Sequence, residues 1–163
     1  MSDFIIREFK NSDLDPALDI FFEVIKGGDA YDFSPDTHPE TALNYFTSEG
    51  VKRFVLECEG RVAGWYSLKP NRAGLASHIG NCSYMVSPEF RGRGFGEEMG
   101  KHSITQAKKE GFKAIQFNFV VSTNEPAVKL WKKLGFKIIG TIPHGYNHAK
   151  LGFVDAYIMF REL

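Results

Sequence analysis

The stretch Val86-Ser-Pro-Glu-Phe-Arg-Gly-Arg-Gly-Phe-Gly-Glu-Glu-Met99 constrains this chain more than any other, because it places a strand end, a glycine-rich turn and a helix start in succession. Gly92, Gly94 and Gly96 let the main chain turn tightly and approach a ligand with no Cβ in the way. The helix that follows leaves its first N–H groups without intrahelical partners, and its dipole favours negative charge at that end. Arg91 and Arg93 beside such a helix start are the residues of a diphosphate cradle. A solvated arginine turn capped by glycines is the alternative. The stretch is not a P-loop, since no Gly-Lys-Ser/Thr follows, nor the dinucleotide fingerprint, which needs Gly-x-Gly-x-x-Gly.

Around this turn the chain alternates strands and helices. Phe4 to Phe9 reads as a strand, followed by a helix capped by Ser12 or Asp13, with Leu14, Leu18, Phe21, Phe22 and Ile25 at helical spacing and Gly27-Gly28 as its end. Asp29 to His38 mixes turn formers with two aromatics, a loop that packs over something. Pro39-Glu40 opens a second helix with Ala42, Leu43 and Phe46 on one face, closing at Gly50. Val51 to Cys58 and Arg61 to Leu68 form a hairpin about Glu59-Gly60, and Ile79 to Val86 leads into the glycine turn. The helix from Gly94 to Glu110 carries Glu97 and Glu98 in its first turn and Lys108 and Lys109 in its last, complementing the dipole. Gly111 ends it.

Lys113 to Val121 is apolar apart from Gln116 and Asn118, which predicts a strand covered on both faces and joined to its predecessor by a parallel crossover. Asn124 caps a helix with Ala127, Leu130, Trp131 and Leu134 on one face, stopping at Gly135. Phe136 to Ile142 and Phe153 to Phe160 are the closing strands, separated by a long aromatic and polar loop, Pro143 to Gly152. The order β-α-α-β-β-β-α-β-α-β-β predicts an α/β (α+β) fold, a mixed sheet with helices on both faces.

A length of 163 residues with 43% hydrophobic content suits a single domain over residues 1–163. Twenty basic and twenty acidic residues cancel, so the broad positive field that nucleic acid binding needs is missing. The N-terminus lacks the basic and apolar runs of a secretory signal, and no apolar stretch is long enough to cross a bilayer, which predicts a cytoplasmic protein without a membrane partner. Cys58 and Cys82 lie in strand-like apolar runs with no partner at metal-ligand spacing, which predicts buried reduced thiols and no metal.

The element order and two local motifs together resemble the GCN5-related N-acetyltransferase superfamily. Its acetyl-CoA motif, Arg/Gln-x-x-Gly-x-Gly/Ala, is matched by Arg91, Gly94 and Gly96. A second signature, Asn-x-x-Ala-x-x-Leu-Tyr-x-x-x-Gly-Phe, is matched by Asn124, Ala127, Leu130, Gly135 and Phe136. The resemblance implies a mostly antiparallel sheet with a central, splayed parallel pair. It also implies acetyl-CoA as cosubstrate, its diphosphate held by the N–H groups of Arg91, Gly92, Arg93, Gly94, Phe95 and Gly96. Met85 and Val86 would pair with the pantetheine arm as an added strand, and Asn124 would hydrogen-bond that arm; an N-cap role alone is its alternative. One position departs from the pattern. Trp131 stands where relatives often carry the tyrosine that protonates the departing thiolate, and an indole N–H is too weak an acid for that.

The acceptor is expected between the strands flanking the cofactor slot. Asn81 begins one, and Asn118 sits in the other, where a buried amide must find partners or cost about 1–3 kcal/mol. Asn118 is either a satisfied core amide or a ligand contact; ligand sites near strand carboxyl ends favour contact. The three asparagines, with Gly-Asp-Ala-Tyr before the second helix and Pro-His-Gly-Tyr-Asn-His in the last loop, resemble the fungal azetidine-2-carboxylate (proline-analogue) acetyltransferases. That resemblance implies that Asn81 and Asn118 orient a small amino or imino acid. His78, His144 and His148 are the residues near the acceptor side that titrate close to neutrality; the two in the last loop read as solvated rather than metal-binding. Tyr31, Phe33 and Tyr146 are a substrate lid or plain loop packing. The sequence therefore predicts a small-molecule N-acetyltransferase acting by direct attack in a ternary complex. A protein or peptide N-acetyltransferase and a non-catalytic acyl-CoA-binding module are the rivals. Relatives dimerise through their last strands, which implies a homodimer formed by the apolar run Phe153 to Phe160.

Overall fold

The protein's structure is a computed structural model that describes residues 3–163. Its elements are β1 (Phe4–Glu8), α1 (Leu14–Ile25), α2 (Pro39–Thr47), β2 (Lys52–Cys58), β3 (Arg61–Pro70), β4 (Ile79–Val86), α3 (Phe95–Lys109), β5 (Ala114–Val121), α4 (Glu125–Lys133), β6 (Lys137–His148) and β7 (Gly152–Glu162). The strands form one sheet in the order β1-β2-β3-β4-β5-β7-β6. Every pairing is antiparallel except β4 with β5. This is the predicted fold class.

Side-chain alternation decides what each face of the sheet holds. Phe54 and Leu56 of β2 and Tyr66 and Leu68 of β3 point to the face covered by α3 and α4, where they pack with Met99, Trp131 and Leu134. Val55 and Trp65 point the other way, toward Ile20, Phe21 and Phe46 of α1 and α2. That second core is built from aromatic edges: Phe21 is fully buried and its ring lies 4.9 Å from that of Phe33. Burying such a side chain contributes about 1.5–3 kcal/mol. The packing also fixes the loop after α1, because Phe33 belongs to it. The Glu59-Gly60 turn is the predicted tight hairpin, both residues having positive φ, 55° and 71°.

Where the sheet opens matters most for function. β4 is paired to β3 along its whole length, from Gly80 to Val86. To β5 it is paired only at Ile79↔Ala114 and Gly80↔Ile115. Beyond Gly80 the two strands diverge, and Asn81 Nδ2 donates to Gln116 O (2.9 Å) at the first rung the ladder abandons. The predicted splayed parallel pair is therefore present, with its open end toward the strands' carboxyl ends.

Several local expectations change. α1 is not capped by Ser12 or by Asp13; the Asp13 carboxylate instead takes the N–H of Lys10 and both terminal nitrogens of Arg7. Leu43 of α2 is exposed, since the core face of that helix is made by Ala42, Tyr45 and Phe46. β5 is not covered on both faces, because the splay leaves Asn118 exposed midway along it. The predicted loop from Pro143 to Gly152 is mostly strand. β6 continues to His148 past an irregularity between Ile142 and Tyr146, where His144 adopts φ 53° and its N–H donates to Asp155 Oδ1. Finally, β7 cannot offer an edge to a partner, because β5 and β6 occupy both of its sides; the free edge at this end of the sheet is β6. Cys58 and Cys82 are buried and unbridged, as predicted.

Candidate active site

The divergence of β4 from β5 leaves a cleft whose two halves share Ala30, Tyr31 and Asn124. The first half, of ≈ 440 Å³, lies among Met85 and Val86 of β4, Arg91, Asn124 and His148. The second, of ≈ 240 Å³, is bounded by Asn81 and Tyr84 on β4, Phe117 and Asn118 on β5, Trp131 and Asp32. Asn81, Asn118, Met85, Val86, Arg91 and Asn124, named from the sequence, thus converge on one cleft. A larger cavity of ≈ 670 Å³ lies elsewhere, between α1 and the β2–β3 turn. Its arginines are already engaged, Arg7 by Asp13 and Glu57, and Arg61 by Glu89.

The first half has the donors an extended, phosphorylated ligand requires. From Asn81 to Val86, the edge of β4 that faces β5 has no ladder partner, so every second residue offers main-chain groups to the cleft. At its end the chain turns through Gly92 and Gly94, with φ 77° and 80° and nothing near the position a Cβ would take. Arg91 N donates to Pro88 O, and Glu97 N and Glu98 N both donate to Gly94 O. Among the described residues, the N–H groups from Gly92 to Gly96 between them have no internal acceptor. A diphosphate fits that row of donors. Gly96 has a second duty, since a Cβ there would come within 3.3 Å of a Leu130 methyl and crowd the contact between α3 and α4.

The two arginines separate in role. Arg91 is exposed and borders the cleft, whereas Arg93 is held by Glu59 at 2.8 Å and lies over the Phe90 ring, its guanidinium carbon 5.0 Å from the centroid. Only the main chain of Arg93 is free for a ligand. Phe95 is likewise a core side chain, packed on Phe4 and Phe90, and contributes its N–H. Asn124 does cap α4, its Oδ1 accepting from Ala127 N at 3.4 Å, and its place on both halves leaves its amide nitrogen to the cleft.

In the second half the polar groups are mostly neutral. Burial pushes the Cys82 thiol up to about 12 and the Tyr84 phenol well above its ordinary range. Tyr84 turns its hydroxyl to Ser103 Oγ (2.7 Å), and Ser103 in turn donates to Gly100 O, so the phenol donates inward. Asn118 is exposed rather than buried, yet its amide is engaged at both ends, accepting from Gln116 Nε2 (3.0 Å) and donating to Asn71 Oδ1 (2.7 Å). Asn71, at the start of the β3–β4 connection, carried no signal in the sequence. Trp131 closes the wall, 4.7 Å from both the Tyr84 and the Phe117 rings.

The loop after α1 does pack over this cleft. Tyr146 donates its hydroxyl to Tyr31 O (2.9 Å), and Ala149 N donates to Gly28 O (3.0 Å), tying the loop to the β6–β7 hairpin. Burial raises the Tyr31 phenol, so it stays protonated at the junction of the two halves. Phe33 is the packing residue of the loop. Of the three histidines, His148 borders the cleft; its Nδ1 accepts from Lys150 N (3.1 Å) and Leu151 N (3.3 Å), which leaves Nε2 to carry the proton of the neutral ring. His78 and His144 line neither half.

Comparisons with known proteins agree with this architecture. The model of the acetyltransferase (GNAT) family matches residues 18–136. A structure of a GCN5-related N-acetyltransferase from Kribbella flavida superposes with a TM-score of 0.92 at 36% identity, covering 98% of each chain. The structure of yncA, a putative acetyltransferase from Salmonella typhimurium with its cofactor acetyl-CoA, shares the fold with a TM-score of 0.86 at 22% identity, over 99% of this chain and 95% of that one. Among curated proteins, the N-acetyltransferase aca1 of Schizosaccharomyces pombe is 38% identical over 58% of this chain and 46% of its own length. The L-amino acid N-acetyltransferase AaaT of Escherichia coli is 29% identical over 69% of this chain and 68% of its own. The chain spans about half the length of aca1.

Proposed function

We propose that the chain, which belongs to the acetyltransferase (GNAT) family, is an N-acetyltransferase that transfers the acetyl group of acetyl-CoA to the amine of a small amino or imino acid. The observation that carries the acceptor class is the size and lining of the second half of the cleft. At ≈ 240 Å³ it lies below the usual range for drug-sized ligands, about 300–1,000 Å³, and suits a compact acceptor better than a peptide. Its two strand-borne amides, Asn81 and Asn118, suit the two ends of an amino acid. Asn118 has one N–H already given to Asn71 and a second unclaimed, a donor for a carboxylate. Asn81 gives one N–H to Gln116 O and keeps Oδ1 to accept from the amine.

In this reading the chain's own residues bind, orient and screen. Main-chain N–H groups from Gly92 to Gly96, with Arg91, hold the diphosphate, and Asn124 with the open edge of Met85 and Val86 holds the pantetheine arm. The bound thioester supplies the activated acyl carbon. An N–H at the β4 edge near Val86 polarises its carbonyl, the amine nitrogen bonds to that carbon as the C–S bond breaks, and the amine's proton leaves through water. The two free, buried cysteines suit a reducing compartment, and the reading places the enzyme in the cytoplasm.

The test is free-thiol release from acetyl-CoA with azetidine-2-carboxylate, L-alanine, azetidine, spermidine and a short peptide as acceptors. Turnover of azetidine-2-carboxylate and L-alanine is expected, with azetidine, which lacks the carboxylate, a slower acceptor of higher KM. Turnover of spermidine or the peptide alone overturns the acceptor class.

A further inference from the structure

Three side-chain amides run in one direction across the rim of the acceptor half. Gln116 Nε2 donates to Asn118 Oδ1 at 3.0 Å, and Asn118 Nδ2 donates to Asn71 Oδ1 at 2.7 Å. The first two are neighbours on one face of β5, two residues apart. The third comes from the β3–β4 connection, where its main-chain N–H donates to Ile79 O (2.8 Å). An exposed asparagine ordinarily turns its amide over freely. Here a half-turn would set Asn118 Oδ1 against Asn71 Oδ1 and Nδ2 against Gln116 Nε2, oxygen on oxygen and donor on donor. With Gln116 and Asn71 oriented as they stand, the outer partners set which end of Asn118 an acceptor meets.

We propose that Asn71 and Gln116 are positioning residues that hold Asn118 with its amide nitrogen presented to the acceptor, and so select acceptors that carry a carboxylate. The inference rests on the acceptor reading above. Neither residue borders the cleft itself, so each acts through Asn118. With the lock in place, the second N–H of Asn118 meets a carboxylate without first paying for reorientation, which is how a fixed polar group discriminates between ligands. Without it, the amide samples both orientations, and the preference for an acid over the corresponding bare amine shrinks. Gln116 also receives Asn81 through its main-chain oxygen. The two acceptor amides are thus referred to one residue of β5, at the place where the parallel pair parts.

The experiment is a double-mutant cycle on the purified full chain, with azetidine-2-carboxylate and azetidine as the acid and bare-amine probes. Asn71→Ala is expected to raise the KM for azetidine-2-carboxylate about two-fold, the factor lost when the second amide orientation becomes equally populated. The KM values for azetidine and acetyl-CoA and the melting temperature should stay unchanged. Gln116→Ala should do the same while keeping its main-chain bond from Asn81. In an Asn118→Ala background either change should add nothing, because the residue they position has gone. An Asn71→Ala effect that persists undiminished in that background, or that raises the azetidine KM equally, overturns the positioning role. An unchanged azetidine-2-carboxylate KM in Asn71→Ala overturns it too. Should Asn118→Ala itself leave that KM untouched, the acceptor reading fails first.

Discussion

Replacing Asn118 by aspartate keeps the shape of the side chain and inverts what it can offer. The carboxylate still accepts from Gln116 Nε2, but it has no hydrogen for Asn71 Oδ1 or for a substrate carboxylate. Asn71, on an exposed connection, can exchange this one bond for water, so the cost to the fold is small. For an amino-acid acceptor the loss has two parts. A hydrogen bond to a charged group is worth about 1.5–3 kcal/mol. Two carboxylates about 4 Å apart repel by about 1 kcal/mol in water and by several times that when partly screened from it. Asn118 is exposed, so the lower end of the repulsion applies, and the sum is about 2.5–4 kcal/mol. That is a fall of roughly 10²–10³ in kcat/KM for azetidine-2-carboxylate. Azetidine, lacking the carboxylate, should fall by no more than about three-fold, and a diamine should gain through its second cationic end. The assay is thiol release at saturating acetyl-CoA, varying each acceptor, with the acetyl-CoA KM as control. An equal fall for the acid and the bare amine would refute the reasoning, since it would mean that Asn118 supports the cleft without meeting the carboxylate.

Arg91→Ala should raise the KM for acetyl-CoA about ten-fold, with the acceptor KM unchanged, because its guanidinium is free beside the cleft. Arg93→Ala, whose side chain is committed to Glu59, should move that KM far less; steady-state titration of acetyl-CoA checks both. His102 sets an acid limit on stability. Burial, reinforced by Lys109, holds its pKa below the ordinary 6.5, and the Tyr66 hydroxyl lies 2.7 Å from Nδ1. Below about pH 6.5 the unfolded chain then binds a proton that the folded chain refuses, so stability falls as the pH drops through that value toward the folded-state pKa. Urea unfolding at two pH values should show a smaller acid loss for His102→Gln. For assembly, the free edge of β6 and the exposed Ile139, Leu151 and Phe153 of the last hairpin lead us to expect a dimer through that hairpin. Sedimentation showing only monomer at micromolar concentration would retire that expectation.

What could be read from the sequence is what local physics decides. Gly92 and Gly94 announce the turn because both sit at positive φ, where few other residues go, and Glu59-Gly60 announces its hairpin for the same reason. The expectation fails where the deciding partner is remote. Pro143 to Gly152 reads as a loop from its composition, yet β6 runs on to His148, because Asp155 on the neighbouring strand takes the His144 N–H and absorbs the irregularity. Asn118 reads as buried because its neighbours are apolar. Its exposure follows from the parting of β4 and β5, a property of the sheet rather than of the strand. Asn71 lies 47 residues from the amide it holds, with nothing in its surroundings to mark it. Asp13 carries the signature of a helix cap and spends its carboxylate on Arg7 instead, the stronger partner by charge.

The proton balance of the cleft explains how a tryptophan can occupy the place of a tyrosine. Trp131 is wedged between Tyr84 and Phe117, where its work is packing. The protonated groups beside it are poor acids: burial holds the Cys82 thiol up at about 12, and the Tyr84 phenol is raised and turned inward to Ser103. None of them delivers a proton readily at neutral pH. The departing group needs little help, because an alkyl thiol ionises at about 8.5. The larger demand is on the other reactant. An ordinary alkylamine, with a pKa of about 10.4, must lose a proton at pH 7 before it can attack, at a cost of about 4–5 kcal/mol. The cleft's polar investment follows that difference: the amides of Asn81 and Asn118 and the carboxylate of Asp32 lie on the acceptor side. With the larger proton cost on the amine side, the fit of Trp131 to the core is enough to account for it.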